Sequence, residues 1–103
     1  MPQTRAKLDD CRTMDEVRAE VDAIDAELLQ LLARRFACMR AAARIKSDRD
    51  TVRDEARKAE VIANAVALAA KYELPAGAVG DLWERLVEAS IAYELEEWDS
   101  LRG

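Results

Sequence analysis

Apolar residues recur along the first half of the chain at alternating steps of three and four residues. Together with one basic residue they form the series Val17, Val21, Ile24, Leu28, Leu31, Arg35, Cys38, Ala42 and Ile45. Steps of this kind keep side chains on one face of a helix and produce a seam like that of a heptad repeat. Thr13 and Glu16 have the spacing of a capping box, so the pattern predicts one long helix over about residues 14–47.

Two shorter helical patterns follow the first. The segment 47–51 is rich in Asp and Ser and predicts a short loop. A second helix is predicted to begin between residues 51 and 54 and to end near Tyr72. After a turn that contains Pro75, a third helix is predicted to run from residue 76 or 78 to Asp99.

The predicted architecture is all-α, with three helices per chain. Residues 13–103 form one helical domain, and residues 1–12, which are polar and unpatterned, are predicted to be a disordered N-terminal segment. The first helix would be ~50 Å long, whereas a compact domain of about 100 residues has a radius of gyration of only ~13 Å. An apolar seam on so long a helix predicts an intertwined helical homodimer.

The composition narrows the class of function. The chain of 103 residues has a formal net charge of -5, which argues against a nucleic acid partner. It contains no His, so neither a Cys/His metal cluster nor a histidine general base is possible, and no cofactor is predicted. The two cysteines do not suggest a disulfide framework, and no apolar run approaches a membrane span. These features predict a cytoplasmic protein without a membrane partner.

Three cations on the first helix suggest a site for an anion. Arg35 lies within the apolar seam, where a cation is costly unless an anion meets it. Lys46 lies close to three full turns further along, ~16 Å away by helical rise, and Arg18 lies ~25 Å in the other direction. One small molecule cannot reach both arginines of one chain, but it can reach Arg35 of one chain and Arg18 of the other in an antiparallel dimer. The alternative is that these are ordinary surface cations paired with acidic neighbours.

The third helix places a carboxylate in an apolar row. Glu94 lies between Ile91 and Trp98 on one face, and Ser90 lies one turn away on the same side. Such a carboxylate either pairs with a cation of the first helix, Arg35 or Lys46, or carries a proton. The alternative to a functional role is a structural buried ion pair.

The start of the second helix adds Asp54 and Arg57, whose spacing is usually that of a surface salt bridge. The candidate residues include several cations, one unusual Glu and one Ser, without a pair of nucleophile and base. This equipment suits the binding of a small polyanion and the stabilisation of charge rather than covalent catalysis.

The ordered set of these residues resembles the all-α chorismate mutases, a family that includes the related isochorismate-pyruvate lyases. The resemblance covers about residues 14–98. It rests on three blocks: Arg18-x5-Ile24-Asp25-x2-Leu28-Leu29-x-Leu31-Leu32-x2-Arg35 ending in Ala43-Arg44-Ile45-Lys46, then Val52-Arg53-Asp54 with Arg57, and finally Ser90-x3-Glu94.

The resemblance implies an intertwined dimer with two equivalent sites for a small dianionic substrate. Arg18 would reach into the partner's site and bind a carboxylate, and Lys46 would donate a hydrogen bond to the ether oxygen of the breaking bond. The implied catalytic residues are Lys46, Glu94 and Arg35, and the implied substrate-binding residues are Arg18, Asp54, Arg57 and Ser90.

Two features bear on the particular activity. Lys58 occupies a position where several mutases have Glu, and the end of the third helix resembles the lyase branch. Asp54 favours the mutase branch, because the acid that binds the ring hydroxyl belongs there. The predicted function is therefore that of a chorismate mutase, an isomerase of the shikimate pathway and of aromatic amino acid biosynthesis. The alternatives are an isochorismate-pyruvate lyase and, in another class, a non-catalytic helical dimerisation module, which would not need Arg35 and Glu94 inside its apolar rows.

Overall fold

A computed structural model describes residues 10–103 of the chain. It contains helix α1 (Met14–Ile45), a short 3-10 helix (Arg49–Thr51), helix α2 (Glu55–Lys71) and helix α3 (Ala76–Arg102). Within these described residues there is no strand, and the predicted all-α fold is confirmed. The disordered segment predicted for residues 1–12 lies mostly on residues 1–9, which are outside the described part of the chain.

Two helices end at residues other than the predicted ones: α1 is shorter and α3 is longer. Helix α1 ends two residues earlier than predicted, and the loop contains the 3-10 helix Arg49–Thr51, whose N-cap is Asp48. The Asp48 carboxylate accepts a hydrogen bond of 3.0 Å from the backbone N–H of Asp50. This local bond competes with continuation of the helix, which is the usual effect of Asp in such positions. Helix α3 in turn continues past Asp99 to Arg102.

The described chain divides into two compact units, which meet in sequence between Arg35 and Phe36, and each is described by itself. In the first unit, α1 begins with the predicted capping box. The Glu16 N–H donates to Thr13 Oγ1 at 3.1 Å, and the Thr13 N–H donates to Glu16 Oε1 at 3.0 Å. The backbone N–H groups of Arg12 and Thr13 lower the pKa of Glu16, because they stabilise its ionised form.

The apolar seam of the first unit is largely exposed in the single chain. The exposed fractions range from 38% to 55% for Val17, Val21, Leu28 and Leu31. Four large aliphatic residues on one helix face form a patch that a second protein surface would be expected to cover.

The core of the second unit lies between α2 and α3. Val52, Val87 and Ile91 are buried, and four partly buried residues pack against them: Val61, Ile62, Leu95 and Trp98. The last turns of α1 also contact α3, since the Phe36 ring meets Tyr93 edge to face with centroids 5.0 Å apart. Arg40 donates a hydrogen bond of 2.8 Å to the Tyr93 hydroxyl. Within residues 10–103, no helix combines the length and the apolar content that a membrane crossing requires.

Charged residues join the start of α2 to the middle of α3. Arg53 holds both carboxylate oxygens of Glu88, with distances of 2.7 and 3.0 Å. The Lys58 ammonium lies 2.6 Å from Glu88 and 2.6 Å from Glu84. Hydrogen bonds from Arg53 and then from Lys58 lower the pKa of Glu88 to about 2. Glu84 and then Glu88 raise the pKa of Lys58, since both carboxylates favour its charged form.

We expect Glu88→Gln to lower the melting temperature at neutral pH, because the folded chain loses these ion pairs. The pKa of Glu88 is about 2 in the folded chain against an ordinary 4.5. The stabilisation is therefore complete above the unfolded pKa and is lost as the pH falls toward the folded one. The difference in melting temperature between wild type and variant should shrink over that window, which circular dichroism melts at a series of pH values measure.

Glu96→Gln is the matched control, because Glu96 is exposed on the same helix. Its melting temperature should stay close to that of the wild type at every pH. A deficit of Glu88→Gln that does not change on acidification would mean that ionised Glu88 does not stabilise the fold.

Candidate functional site

The structure brings together Lys46, the residue that follows α1, and Glu94 on α3. The Lys46 Nζ lies 2.8 Å from Glu94 Oε2, and the two side chains are 30% and 5% exposed. The sequence left Arg35 and Lys46 as possible cationic partners of Glu94. Within the second unit, the partner is Lys46. A buried carboxylate is costly without such a partner, so this pair fixes the charge balance of the interior.

The contact between Lys46 and Glu94 is an ion pair rather than a well-directed hydrogen bond. Glu94 Oε2 is fully buried and has no hydrogen-bond partner in good geometry within the described part of the chain. The ammonium lies also 3.5 Å from the carbonyl oxygen of Val52, which is a long contact. The Lys46 ammonium has three N–H donors, and Glu94 and the Val52 carbonyl are the two partners near it in the second unit. A ligand oxygen placed beside Lys46 could accept a hydrogen bond from its ammonium.

The C-terminal turns of α3 hold the end of α1. The indole N–H of Trp98 donates to the Lys46 carbonyl at 3.0 Å, and Arg102 Nη2 donates to the same oxygen at 2.7 Å. Arg102 Nη1 donates to the Ala43 carbonyl at 3.0 Å. The last carbonyls of a helix have no partner within the helix, so these side chains satisfy groups that would otherwise need water.

Sequence reasoning missed this arrangement. It placed Trp98 among the apolar residues of the third helix and ended that helix before Arg102. The available signal was the four-residue spacing of Glu94, Trp98 and Arg102, which sets all three on one face of α3.

The other candidate residues of the second unit are engaged locally. The Ser90 hydroxyl is buried and donates to the Leu86 carbonyl at 2.7 Å. Asp54 is the N-cap of α2, and its Oδ1 accepts from the backbone N–H of Arg57 at 3.0 Å. The Arg57 guanidinium instead lies 2.6 Å from Glu60.

The usual surface salt bridge between Asp54 and Arg57 is therefore not formed. The extended backbone of Asp54 aims its carboxylate at the free N–H groups of the first turn of α2. The side chain of Arg57 runs along the helix to Glu60, three residues on. The salt bridge that the spacing suggested is therefore wrong: the Asp54 carboxylate accepts from the backbone N–H of Arg57 and not from its guanidinium.

The two arginines of the first unit are described separately. Arg18 is 70% exposed and lies 3.8 Å from Asp15, which is a weak surface pair. Arg35 is half-buried on α1. Their roles toward a substrate stay predictions.

An open groove on α3 does not suit an anionic ligand. It has a volume of about 570 Å³ and is lined by Asp81, Glu84, Arg85 and Glu88. Three of the four lining residues are acidic, and the two glutamates already engage Arg53 and Lys58, so the groove offers a dianion few cationic partners. Neither Lys46 nor Glu94 lines this groove. The candidate site is the region around their ion pair, where a cation is available to an anionic ligand.

We expect Asp54→Ala to destabilise the chain by about 1 kcal/mol, the usual cost of removing an N-cap side chain. Asp54→Ser should stay close to the wild type in stability, because a hydroxyl oxygen can accept the same bond from the Arg57 N–H. Urea unfolding of both variants measures the difference. Equal stabilities of the Ala and Ser variants would contradict the capping role.

The second unit thus combines packed helices with a buried lysine–carboxylate pair, and it has no nucleophile beside a base. Residues 17–95 match the family described as chorismate mutase type II, and the chain belongs to that family of enzymes. The isochorismate pyruvate lyase of Pseudomonas aeruginosa is 27% identical over 95 residues, which cover 92% of this chain and 94% of that protein. The family identified from the sequence is thereby confirmed.

Proposed function

We propose that this chain is a chorismate mutase, which rearranges chorismate to prephenate. The observation that supports this most directly is the pair of the partly exposed Lys46 and the buried Glu94, 2.8 Å apart. The rearrangement breaks one C–O bond and forms one C–C bond within the same molecule. No protein group has to attack or to remove a proton, which agrees with a chain that has no His.

Lys46 and Glu94 act on the ether oxygen of the substrate. Negative charge grows on that oxygen as the C–O bond breaks, and the Lys46 ammonium donates a hydrogen bond to it. Glu94 assists as a donor when it carries a proton, because an ionised carboxylate would repel the oxygen. Preorganised donors in a site without water typically contribute several kcal/mol to transition-state stabilisation. Holding the substrate in its compact reactive conformation lowers the barrier further.

Arg35 and Arg18 bind the two carboxylates of the substrate. Each guanidinium offers a planar fork of donors that matches a carboxylate. The two residues are ~25 Å apart along α1 by helical rise. Arg18 therefore belongs to the site of a second copy, and the active protein is a homodimer. The exposed seam of Val17, Val21, Leu28 and Leu31 supplies the surface for that dimer.

The remaining candidate residues line the same pocket. Asp54 contacts the ring hydroxyl, Arg57 closes the pocket at the start of α2, and Ser90 assists a carboxylate. The backbone of α2 fixes the Asp54 carboxylate, whereas Ser90 has to give up its hydrogen bond to the Leu86 carbonyl before it can donate to a carboxylate.

A second candidate activity is that of an isochorismate-pyruvate lyase. It is favoured by the likeness to the Pseudomonas aeruginosa enzyme along 92% of this chain. The same pocket would then stabilise charge on the ether oxygen while pyruvate is eliminated. A non-catalytic dimerisation module is disfavoured, because it gains nothing from the burial of Glu94.

Assays of the purified protein with chorismate and with isochorismate test the proposal. Formation of prephenate from chorismate supports the mutase, and release of pyruvate from isochorismate supports the lyase. Lys46→Ala should lower kcat by an amount that corresponds to about 2–4 kcal/mol, because it removes a charged donor at the reacting oxygen. Lys71→Ala, which removes an exposed ammonium at the end of α2, is the control and should keep full activity. A kcat of Lys46→Ala near the wild-type value would exclude Lys46 from the mechanism.

Mixed dimers test whether one site uses both chains. Arg18→Ala and Arg35→Ala homodimers should each be nearly inactive, because every site lacks one carboxylate ligand. A purified heterodimer of the two variants has one intact site and should show about half the activity of the wild type. An inactive heterodimer would mean that Arg18 and Arg35 serve the same chain.

A further inference from the structure

We propose that Trp98 and Arg102 are positioning residues, which hold the Lys46 ammonium opposite Glu94. This inference rests on the function proposed above. Both residues lie beyond residues 17–95, the part of the chain that matches the family. Both donate hydrogen bonds to the backbone from which the Lys46 side chain extends.

The Lys46 backbone is held on both sides. Its N–H donates to the Ala42 carbonyl at 2.9 Å, which continues the hydrogen-bond ladder of α1 by one residue. Its carbonyl accepts from Trp98 at 3.0 Å and from Arg102 at 2.7 Å. Two donors on one carbonyl use both of its lone pairs. The base of a long and flexible side chain is thereby fixed, although a helix end normally frays.

The two donors also order each other. The Arg102 guanidinium lies over the Trp98 ring, 4.2 Å from the ring centroid. The same guanidinium reaches the Ala43 carbonyl at 3.0 Å, so its fork spans two carbonyls of the last turn of α1. A planar fork stacked on an aromatic ring has little freedom to turn away.

Helix α3 carries the donors and the acid on one face. Glu94, Trp98 and Arg102 follow at four-residue steps, so a rigid helix sets the distance between the acid and the held carbonyl. A slip of the end of α1 along α3 would move the Lys46 ammonium away from Glu94. Trp98 and Arg102 oppose that slip, and in doing so they hold the donor that acts on the reacting oxygen.

The first test is the kinetics of Trp98→Phe and Arg102→Ala. Phe keeps an aromatic ring but cannot donate to the Lys46 carbonyl, whereas Arg102→Ala removes both of its donors. A displacement of about 1 Å at a reacting group can cost ~100-fold in rate. We expect kcat to fall by roughly 10-fold to 100-fold with KM changed by less than about 3-fold, because the substrate carboxylates are bound elsewhere. Arg102→Lys, which keeps one donor, should recover part of the lost kcat.

Asp99→Asn is the matched control. Asp99 lies in the same turn of α3 and forms a two-pronged ion pair with Arg49, with distances of 2.8 and 3.0 Å. Its side chain does not contact the Lys46 carbonyl in the described structure. The control should keep the wild-type kcat and KM. Unchanged kcat in both Trp98→Phe and Arg102→Ala would overturn the proposal, and so would an equal loss of kcat in Asp99→Asn.

A second readout does not depend on turnover. The side-chain ammonium of Lys46 gives an NMR signal that a Lys46→Arg variant assigns by its loss. That signal should shift in Trp98→Phe and in Arg102→Ala and should stay in place in Asp99→Asn. An unmoved signal in both variants would overturn the positioning role even in a fully active enzyme. If the wild type converts neither chorismate nor isochorismate, the proposed function fails, and the NMR result still decides whether these residues position Lys46.

Discussion

The burial of one carboxylate governs how the second unit is assembled. Glu94 is only 4% exposed, and a charged oxygen in that position has to be met by a cation. The ammonium of Lys46, the residue that follows α1, lies 2.8 Å from Glu94 Oε2. The last turns of α3 then hold this residue in place, because Trp98 and Arg102 donate hydrogen bonds to the Lys46 carbonyl.

A buried ion pair is a weak reason for stability. Well-packed apolar side chains of similar volume often stabilise a protein as much or more, whereas removal of one partner leaves an unpaired charge. The pair of Lys46 and Glu94 is therefore better explained by what it can do to a ligand. The Lys46 ammonium is 30% exposed, so a ligand can reach it while Glu94 stays buried, and this favours a site over a simple structural contact. This argument favours an enzyme over a dimerisation module.

Local patterns in the sequence predicted the elements but not the way in which their ends meet. The capping box at Thr13 and Glu16 was predictable because both hydrogen bonds join residues three apart. The position of Glu94 within an apolar row also indicated that its carboxylate would pair with a cation or carry a proton. That Trp98 and Arg102 would bind the end of α1 was not predictable, because these bonds join residues more than fifty positions apart. Asp54 was misjudged for a related reason: spacing identifies the two residues, but only the backbone conformation shows that the acceptor meets an N–H.

The choice between the two candidate activities depends on groups outside the central pair. Chorismate and isochorismate differ in the ring carbon that carries the hydroxyl, while the ether oxygen and the carboxylates are common to both. The roles proposed for Lys46 and Glu94 therefore apply to either substrate. Lys58 is a poor discriminator, since Glu84 and Glu88 already neutralise its ammonium at 2.6 Å. Asp54 is better placed, because capping uses Oδ1 alone and the backbone of α2 fixes the carboxylate. The other carboxylate oxygen of Asp54, Oδ2, could accept a hydrogen bond from a substrate hydroxyl at the start of α2. The proposed preference for chorismate depends on this contact.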